Sequence, residues 1–221
     1  MRCIFCKADS TATRSVEHII PESLGNIDHT LPLGAVCNAC NQYFGRKIEG
    51  PLLGSGMFRL SRADMRVANK RGRIPTFEHK EQTELPDFRL MSRFVGKVGL
   101  EVLAQRLQTV PNWNEEIVEK ETLDSLRDYV RYNKGDTWPV HYRTLYPVNA
   151  TFYDGKEHYE VLHEYDLLYT SKLELYIVVA VFGVEFVLNM GGPNLEGYAD
   201  WLRDNENASH LYIGKNAQKE L

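Results

Sequence analysis

The chain has 221 residues, of which 43% are hydrophobic and 25% are charged, and its formal net charge is −4. This composition is typical of a globular protein with a sizeable core, which excludes general disorder and a fibrous repeat. The strongest apolar run, 173–188, contains Glu174, Gly183 and Glu185, so it is too short and too charged to span a bilayer. The first twenty residues contain no apolar signal segment. We therefore expect a soluble, cytoplasmic protein with no membrane partner.

Charge is distributed unevenly along the chain. Residues 1–80 carry 12 Lys and Arg against 7 Asp and Glu, whereas residues 81–221 carry 14 against 23. A basic front part followed by an acidic back part indicates that one face of the protein meets a polyanion.

All four cysteines fall in residues 1–50, the first predicted region. They form two C-x-x-C pairs, and together they are Cys3, Cys6, Cys37 and Cys40. Four thiolates satisfy tetrahedral Zn²⁺ without leaving an open position, so this spacing predicts a structural zinc site. A redox-active pair is the alternative, and zinc occupancy would leave it no free thiol.

The long insertion between the two cysteine pairs contains an acidic residue followed by a histidine, Glu17 and His18. Neighbouring residues on an extended strand point to opposite sides, so a carboxylate and an imidazole can act on different atoms. Asn41 directly follows the last cysteine, where a helix is expected to start. The zinc site would therefore fix Asn41 relative to the segment that carries Glu17 and His18.

Residues 51–85 form a basic connecting segment whose glycines and prolines are typical of a loop-rich or strand-rich linker. We expect nucleic-acid contacts from this segment and from the end of the preceding helix. The candidate residues are Arg46, Lys47, Arg59, Arg62 and Arg66.

Residues 86–215 are predicted to form an α+β accessory domain, followed by a frayed tail at 216–221. Helical periodicity covers 89–108 and 120–132, and a short last helix is expected at 193–203. Alternating and β-branched residues predict four strands with the tight turns of an antiparallel meander. These strands are 142–150, 159–169, 173–181 and 185–189.

The order of these motifs resembles the HNH endonuclease family, in its zinc-stabilised ββα-metal form with a four-cysteine site. The resemblance covers roughly residues 3–45 and is carried by C-x-x-C, E-H-I-I-P, L-G and C-x-x-C-N. It implies a ββα module in front of the α+β domain. It further implies that Glu17 and Asn41 hold one catalytic Mg²⁺ or Mn²⁺ and that His18 is the general base. The implied substrate is DNA, and the implied context is restriction or defence.

The sequence departs from the family pattern at one position. Family members usually carry a middle Asn that braces the loop between the two strands, and the stretch 30–36 has none. Asn26 and His29 are the two candidates to replace it.

Two further alternatives stay open at the level of sequence. The N-terminal region could be a zinc-binding module that contacts nucleic acid or protein without catalysis, although pure binding requires no trio of Glu17, His18 and Asn41. The acidic C-terminal part could support the module, form a homodimer or contact a protein partner.

Overall fold

The structure is a computed structural model, and it describes residues 1–69, 71–76, 86–145 and 163–211. The fold is α+β, as predicted, with helices and one four-stranded antiparallel sheet. The helices are α1 (Asn38–Phe44), α2 (Gly50–Gly54), α3 (Gly56–Asp64), α4 (Phe88–Leu107), α5 (Trp113–Glu119), α6 (Asp124–Tyr132) and α7 (Glu196–Asp204). The strands are β1 (His141–Thr144), β2 (His163–Tyr169), β3 (Leu175–Val181) and β4 (Val184–Asn189).

The prediction of a loop-rich or strand-rich linker after residue 50 is wrong for its first part, which is helical. Helix α1 continues through a π-helical turn, Gly45–Glu49, directly into α2, and α3 follows after Ser55. Pro51 does not interrupt this run: it lies in the first turn of α2, directly after the π-helical turn. Ser55 has an extended conformation and separates the two helices.

Helix α4 is the central element of the fold and agrees closely with the helix predicted at 89–108. The side chain of Asp87 accepts a hydrogen bond from the Leu90 N–H at 2.8 Å and so caps its first turn. Fourteen of its 20 residues are buried. A helix buried on nearly all sides must bury its polar residues as well, and Arg93, Lys97 and Glu101 are among them.

Two glycines allow α4 to approach its neighbours closely. A Cβ at Gly96 would lie 2.9 Å from Val130 of α6, and one at Gly99 would lie 2.9 Å from Ile177 of β3. Helix α4 is therefore held close to α6 and to β3, and this position determines where Lys97 lies.

The sheet has the strand order β1-β4-β3-β2. Strands β2, β3 and β4 form the predicted meander, and β1 pairs with β4 at the other edge. Side chains of β3 alternate between two apolar layers. Ile177 packs with α4 in the main core, whereas Tyr176 faces α7, where its ring centroid lies 5.8 Å from that of Tyr198.

One hydrophobic core joins the N-terminal region to the rest of the chain. It contains Ile19 and Phe44 from the first region, Phe58 from α3, and Phe94 and Leu188 from α4 and β4. The boundaries predicted at residues 50 and 85 stay a prediction, but in the described part of the chain no break in packing separates the N-terminal region from α4. No helix in the described ranges is long and apolar enough to cross a membrane.

The remaining elements agree with prediction to within a few residues, apart from α5, which periodicity did not reveal. The predicted helix 120–132 is a 3-10 turn, Glu121–Leu123, followed by α6. The predicted strand ends at 146–150 and 159–162, the last part of the connecting segment at 77–85 and the tail at 216–221 lie outside the described residues.

Candidate nuclease site

The four cysteines lie together, as their spacing predicted. Their Sγ atoms are all within 4.8 Å of one another. Cys37 is the N-cap of α1, and its Sγ accepts the N–H of Cys40 at 3.4 Å. The other pair lies in a tight turn in which Lys7 has φ 61° and donates its N–H to the carbonyl oxygen of Cys3 at 2.9 Å.

The separation of two of these sulfurs is close to that expected for tetrahedral coordination. With Zn–S bonds of about 2.3 Å, neighbouring sulfurs of a tetrahedron lie about 3.8 Å apart, and Cys6 Sγ and Cys37 Sγ are separated by 3.6 Å. A hydrogen bond with Cys40 lowers the pKa of the Cys3 thiol to about 5, which favours a thiolate at this position. The cluster is a potential metal site whose donors are consistent with zinc.

Helix α6 contributes two arginines to this cluster. Arg131 Nε donates to Cys40 Sγ at 3.1 Å, and Arg127 Nε donates to the carbonyl oxygen of Ile4, inside the first knuckle, at 2.8 Å. Positive charge beside the sulfurs offsets the negative charge that four thiolates bring. The C-terminal part of the chain thus supports the cysteine cluster directly.

The insertion between the knuckles folds back on itself as a short hairpin. Leu31 N–H donates to Glu17 O at 2.9 Å, Ile19 N–H donates to His29 O at 3.0 Å, and His18 pairs with Thr30 in an isolated antiparallel bridge. The expected pair of strands is therefore present in a minimal form, and it sets Glu17 and His18 at fixed positions beside α1.

Asn26 braces this hairpin, which decides between the two candidates for the missing middle Asn. Its Nδ2 donates to Ile20 O at 2.6 Å and to His29 O at 2.9 Å, and its Oδ1 accepts the His29 N–H at 2.9 Å. Asn26 is only 2% exposed. The His29 ring instead packs edge-on against His163 and Tyr165.

The three residues implied to be catalytic meet at one cavity of about 250 Å³. Glu17, His18 and Asn41 all line it. Asn41 Nδ2 donates to the Val16 carbonyl oxygen at 3.3 Å, which ties α1 to the hairpin. His18 Nε2 lies 2.9 Å from Glu22 Oε1, one turn further along the chain. The structure thus brings the predicted trio together.

Lys97 of α4 is part of this site, although no motif indicated it. Its side chain is fully buried, and its Nζ lies 2.8 Å from Glu17 Oε1, 3.0 Å from Glu49 Oε1 and 2.9 Å from Glu101 Oε2. Burial alone would lower the pKa of Lys97, but the three carboxylates outweigh it and hold that pKa well above its ordinary value. The Lys97 ammonium group is therefore charged. Burial also raises the pKa of Glu101.

Glu49 is the second residue that sequence reasoning missed. It lines the same cavity as Glu17 and Asn41, and its side chain is 19% exposed. Asn41, Gly45 and Glu49 recur every four residues on the cavity side of one helical run. The π-helical turn that carries Glu49 is a type of irregularity often found at functional sites. This spacing, together with the Lys97–Glu101 pair in an apolar helix, was the signal available in the sequence.

The five basic candidates differ in exposure. Arg46 and Lys47 are exposed at the π-helical turn, Arg59 is half-buried, and Arg66 is exposed just after α3. Arg62 is only 7% exposed. Its Nε and Nη2 are buried and without a hydrogen-bond partner among the residues that the structure describes, and burial lowers its pKa.

Comparison with known proteins agrees with this geometry. A family model described as HNH endonuclease matches residues 3–55, which confirms the resemblance and extends it past the end of α2. No curated protein and no solved structure matches the chain. The matched segment contains the cysteine cluster, the braced hairpin and the residues of the cavity. Residues 3–55 therefore match the HNH endonuclease family, and that family implies a nucleic-acid substrate.

Proposed function

We propose that the protein is a metal-dependent endonuclease that hydrolyses phosphodiester bonds in DNA, with a structural zinc at the four cysteines. The observation that carries the proposal is the convergence of Glu17, His18 and Asn41 on one cavity beside that cluster. A role in restriction or defence against foreign DNA belongs to the same proposal, and its support is the family of residues 3–55 alone.

The donors at the cavity suit a hard divalent cation. Glu17 offers a carboxylate and Asn41 an amide oxygen, which are ligands that Mg²⁺ and Mn²⁺ prefer. Glu17 and Glu49 both line the cavity, and the one ammonium group of Lys97 does not offset both carboxylates, so a cation would balance the remaining negative charge. Bound there, the cation would supply Lewis-acid stabilisation of the phosphate and of the leaving oxygen.

His18 supplies the proton acceptor. A neutral imidazole has one ring nitrogen that accepts a proton, so His18 can take one from a water molecule that attacks phosphorus. The proton accepted by His18 gives an imidazolium whose charge Glu22 stabilises, since its carboxylate lies 2.9 Å from Nε2. The hairpin bond between Ile19 and His29 holds the His18 backbone in place.

Supercoiled plasmid tests this proposal. The zinc-loaded protein should nick or linearise the plasmid with Mg²⁺ or Mn²⁺, and EDTA should stop the cleavage. His18→Ala should cut the rate by about 10²–10⁴-fold, the usual contribution of a general base. His210→Ala is a matched control because this histidine lies beside Asp166, away from the cavity.

Two results would reject the proposal. Equal rates for His18→Ala and wild type would remove His18 as the base. A wild-type protein that binds DNA but neither cleaves it nor binds a second metal ion would favour the non-catalytic binding module. Parallel assays with single-stranded DNA and RNA define the substrate.

A further inference from the structure

Lys97 connects the HNH domain to the accessory part of the chain at the cavity itself. It lies 80 residues beyond Glu17, in a helix outside the matched segment. Its Nζ contacts Glu17 and Glu49, both of which line the cavity, and also approaches the His18 carbonyl oxygen at 3.4 Å. One buried ammonium group therefore contacts the segment on each side of the cavity.

These contacts restrict how the two carboxylates can turn. Glu17 Oε1 and Glu49 Oε1 both lie within 3.0 Å of the same nitrogen, so they are no more than about 6 Å apart. Each carboxylate uses one oxygen on Lys97 and keeps a second oxygen for another partner. A flexible glutamate side chain loses rotamer freedom when it binds a cation, and an existing tether removes part of that cost.

Glu101 has a different place in the cluster. It pairs with Lys97 on the same helix, four residues away, and its side chain is fully buried. It does not line the cavity. Glu101 therefore compensates and orients the Lys97 ammonium without reaching the position of the cation.

We infer that Lys97 is a positioning residue of the nuclease centre, which holds Glu17 and Glu49 so that Glu49 joins Glu17 and Asn41 as an oxygen ligand of the catalytic cation. The inference rests on the proposed function. It makes the HNH centre depend on α4 for its active geometry and adds a third oxygen donor to the two that the family resemblance implies.

Charge and geometry make opposite predictions for the removal of Lys97. Loss of a positive charge near the cavity should strengthen cation binding by Coulomb attraction alone. Loss of the tether should weaken it, and removal of a group that orients a metal ligand typically lowers metal affinity about 10–100-fold. The sign of the change therefore separates a positioning lysine from one that competes with the cation.

The experiment is a titration of the zinc-loaded full chain with Mn²⁺. Calorimetry and the electron paramagnetic resonance signal of free Mn²⁺ measure the binding. The variants are Lys97→Met, the double variant Lys97→Met/Glu101→Met, and Glu49→Gln. The double variant removes the buried pair together, so it avoids a buried carboxylate without its counter-ion. Lys134→Met removes an exposed lysine and is the matched control. Zinc content and thermal unfolding report on the fold of each variant.

We expect Lys97→Met, the double variant and Glu49→Gln to bind Mn²⁺ about 10–100-fold more weakly than wild type, with zinc content unchanged, and Lys134→Met to bind as wild type does. Unchanged or tighter Mn²⁺ binding by the folded double variant would overturn the role of Lys97. Unchanged binding by Glu49→Gln would overturn its assignment as a ligand. A further variant, Glu17→Gln, tests the proposed centre itself: if it binds Mn²⁺ as tightly as wild type, the proposed nuclease centre is rejected, and this inference with it.

Discussion

Arg131 Nε donates a hydrogen bond to Cys40 Sγ across 3.1 Å, which places an α6 guanidinium against the cysteine cluster. The same guanidinium lies 4.1 Å from the centroid of the Tyr43 ring, so the aromatic face holds it in place. A cation beside a thiolate stabilises the charged sulfur and with it the bound metal.

Arg131→Met should therefore weaken zinc binding about 10-fold or more, because Cys40 loses its charge-assisted partner. The measurement is zinc release to a chromophoric chelator at increasing chelator concentration. Arg203→Met, at an arginine that is 75% exposed, is the control and should release zinc as wild type does. Equal release by Arg131→Met would show that Arg131 does not stabilise the metal.

Asn26→Ala should destabilise the protein by about 2–4 kcal/mol. The substitution removes three hydrogen bonds at a buried position and leaves two carbonyl oxygens, of Ile20 and His29, without that donor. Urea unfolding gives the free energy. Asn38→Ala removes an asparagine that accepts two hydrogen bonds on the surface, and its loss should be under about 1 kcal/mol. Similar losses in both variants would contradict the bracing role of Asn26.

The exposed basic residues should contribute to DNA affinity without regard to sequence. Neutral replacement of Arg46 and Lys47 should flatten the dependence of log K on log salt by about 0.9 for each duplex phosphate that the protein then leaves unneutralised. The same change at Arg62 should leave the salt slope unaltered, since its side chain is buried. Binding measured at salt concentrations from about 50 to 200 mM checks both expectations. A salt slope that stays the same when Arg46 and Lys47 are replaced would place them off the DNA surface.

Acid should destabilise the fold partly through His163. Burial, and then the neighbouring His29, lower the pKa of His163 to about 4. The unfolded chain, with a pKa near 6.5, binds the proton more readily, so stability is present above pH 6.5 and is lost as the pH falls toward 4. The loss amounts to about 3 kcal/mol at most. His163→Asn should lose less stability than wild type between pH 7 and pH 4.5 in thermal unfolding, and parallel curves would contradict this assignment.

Sequence patterns predicted the fold where each pattern is local. Helix α4 shows strong periodicity and a capping Asp87, so its bounds were found to within one residue. Helix α5 was not predicted because it has only seven residues and buries just Ile117 and Val118. The helices after residue 50 were missed because the glycines and prolines of this segment suggested a loop, whereas Pro51 lies in the first turn of α2.

The residues of the candidate site likewise separate into those that a local motif predicts and those that it does not. Cys3, Glu17, His18 and Asn41 belong to a motif whose spacing implies their meeting. Lys97 belongs to no such motif, because its contact with Glu17 depends on how α4 packs against the hairpin. The sequence could not show whether Asn26 or His29 braces the hairpin, since both lie in the same loop and both carry polar side chains. Only the hydrogen bonds of Asn26 distinguish them.

The position of Lys97 in the chain also orders events during synthesis. Glu17 and Asn41 leave the ribosome first, and Lys97 is added 80 residues after Glu17, which at ordinary elongation rates takes about 4–16 s. During that interval the nascent HNH segment has its zinc ligands but lacks the ammonium that binds Glu17 and Glu49. Under the proposed function, the unfinished chain thus carries a complete motif without the residue that positions its carboxylates, and cleavage of nucleic acid near the ribosome would have to wait until α4 folds against the hairpin.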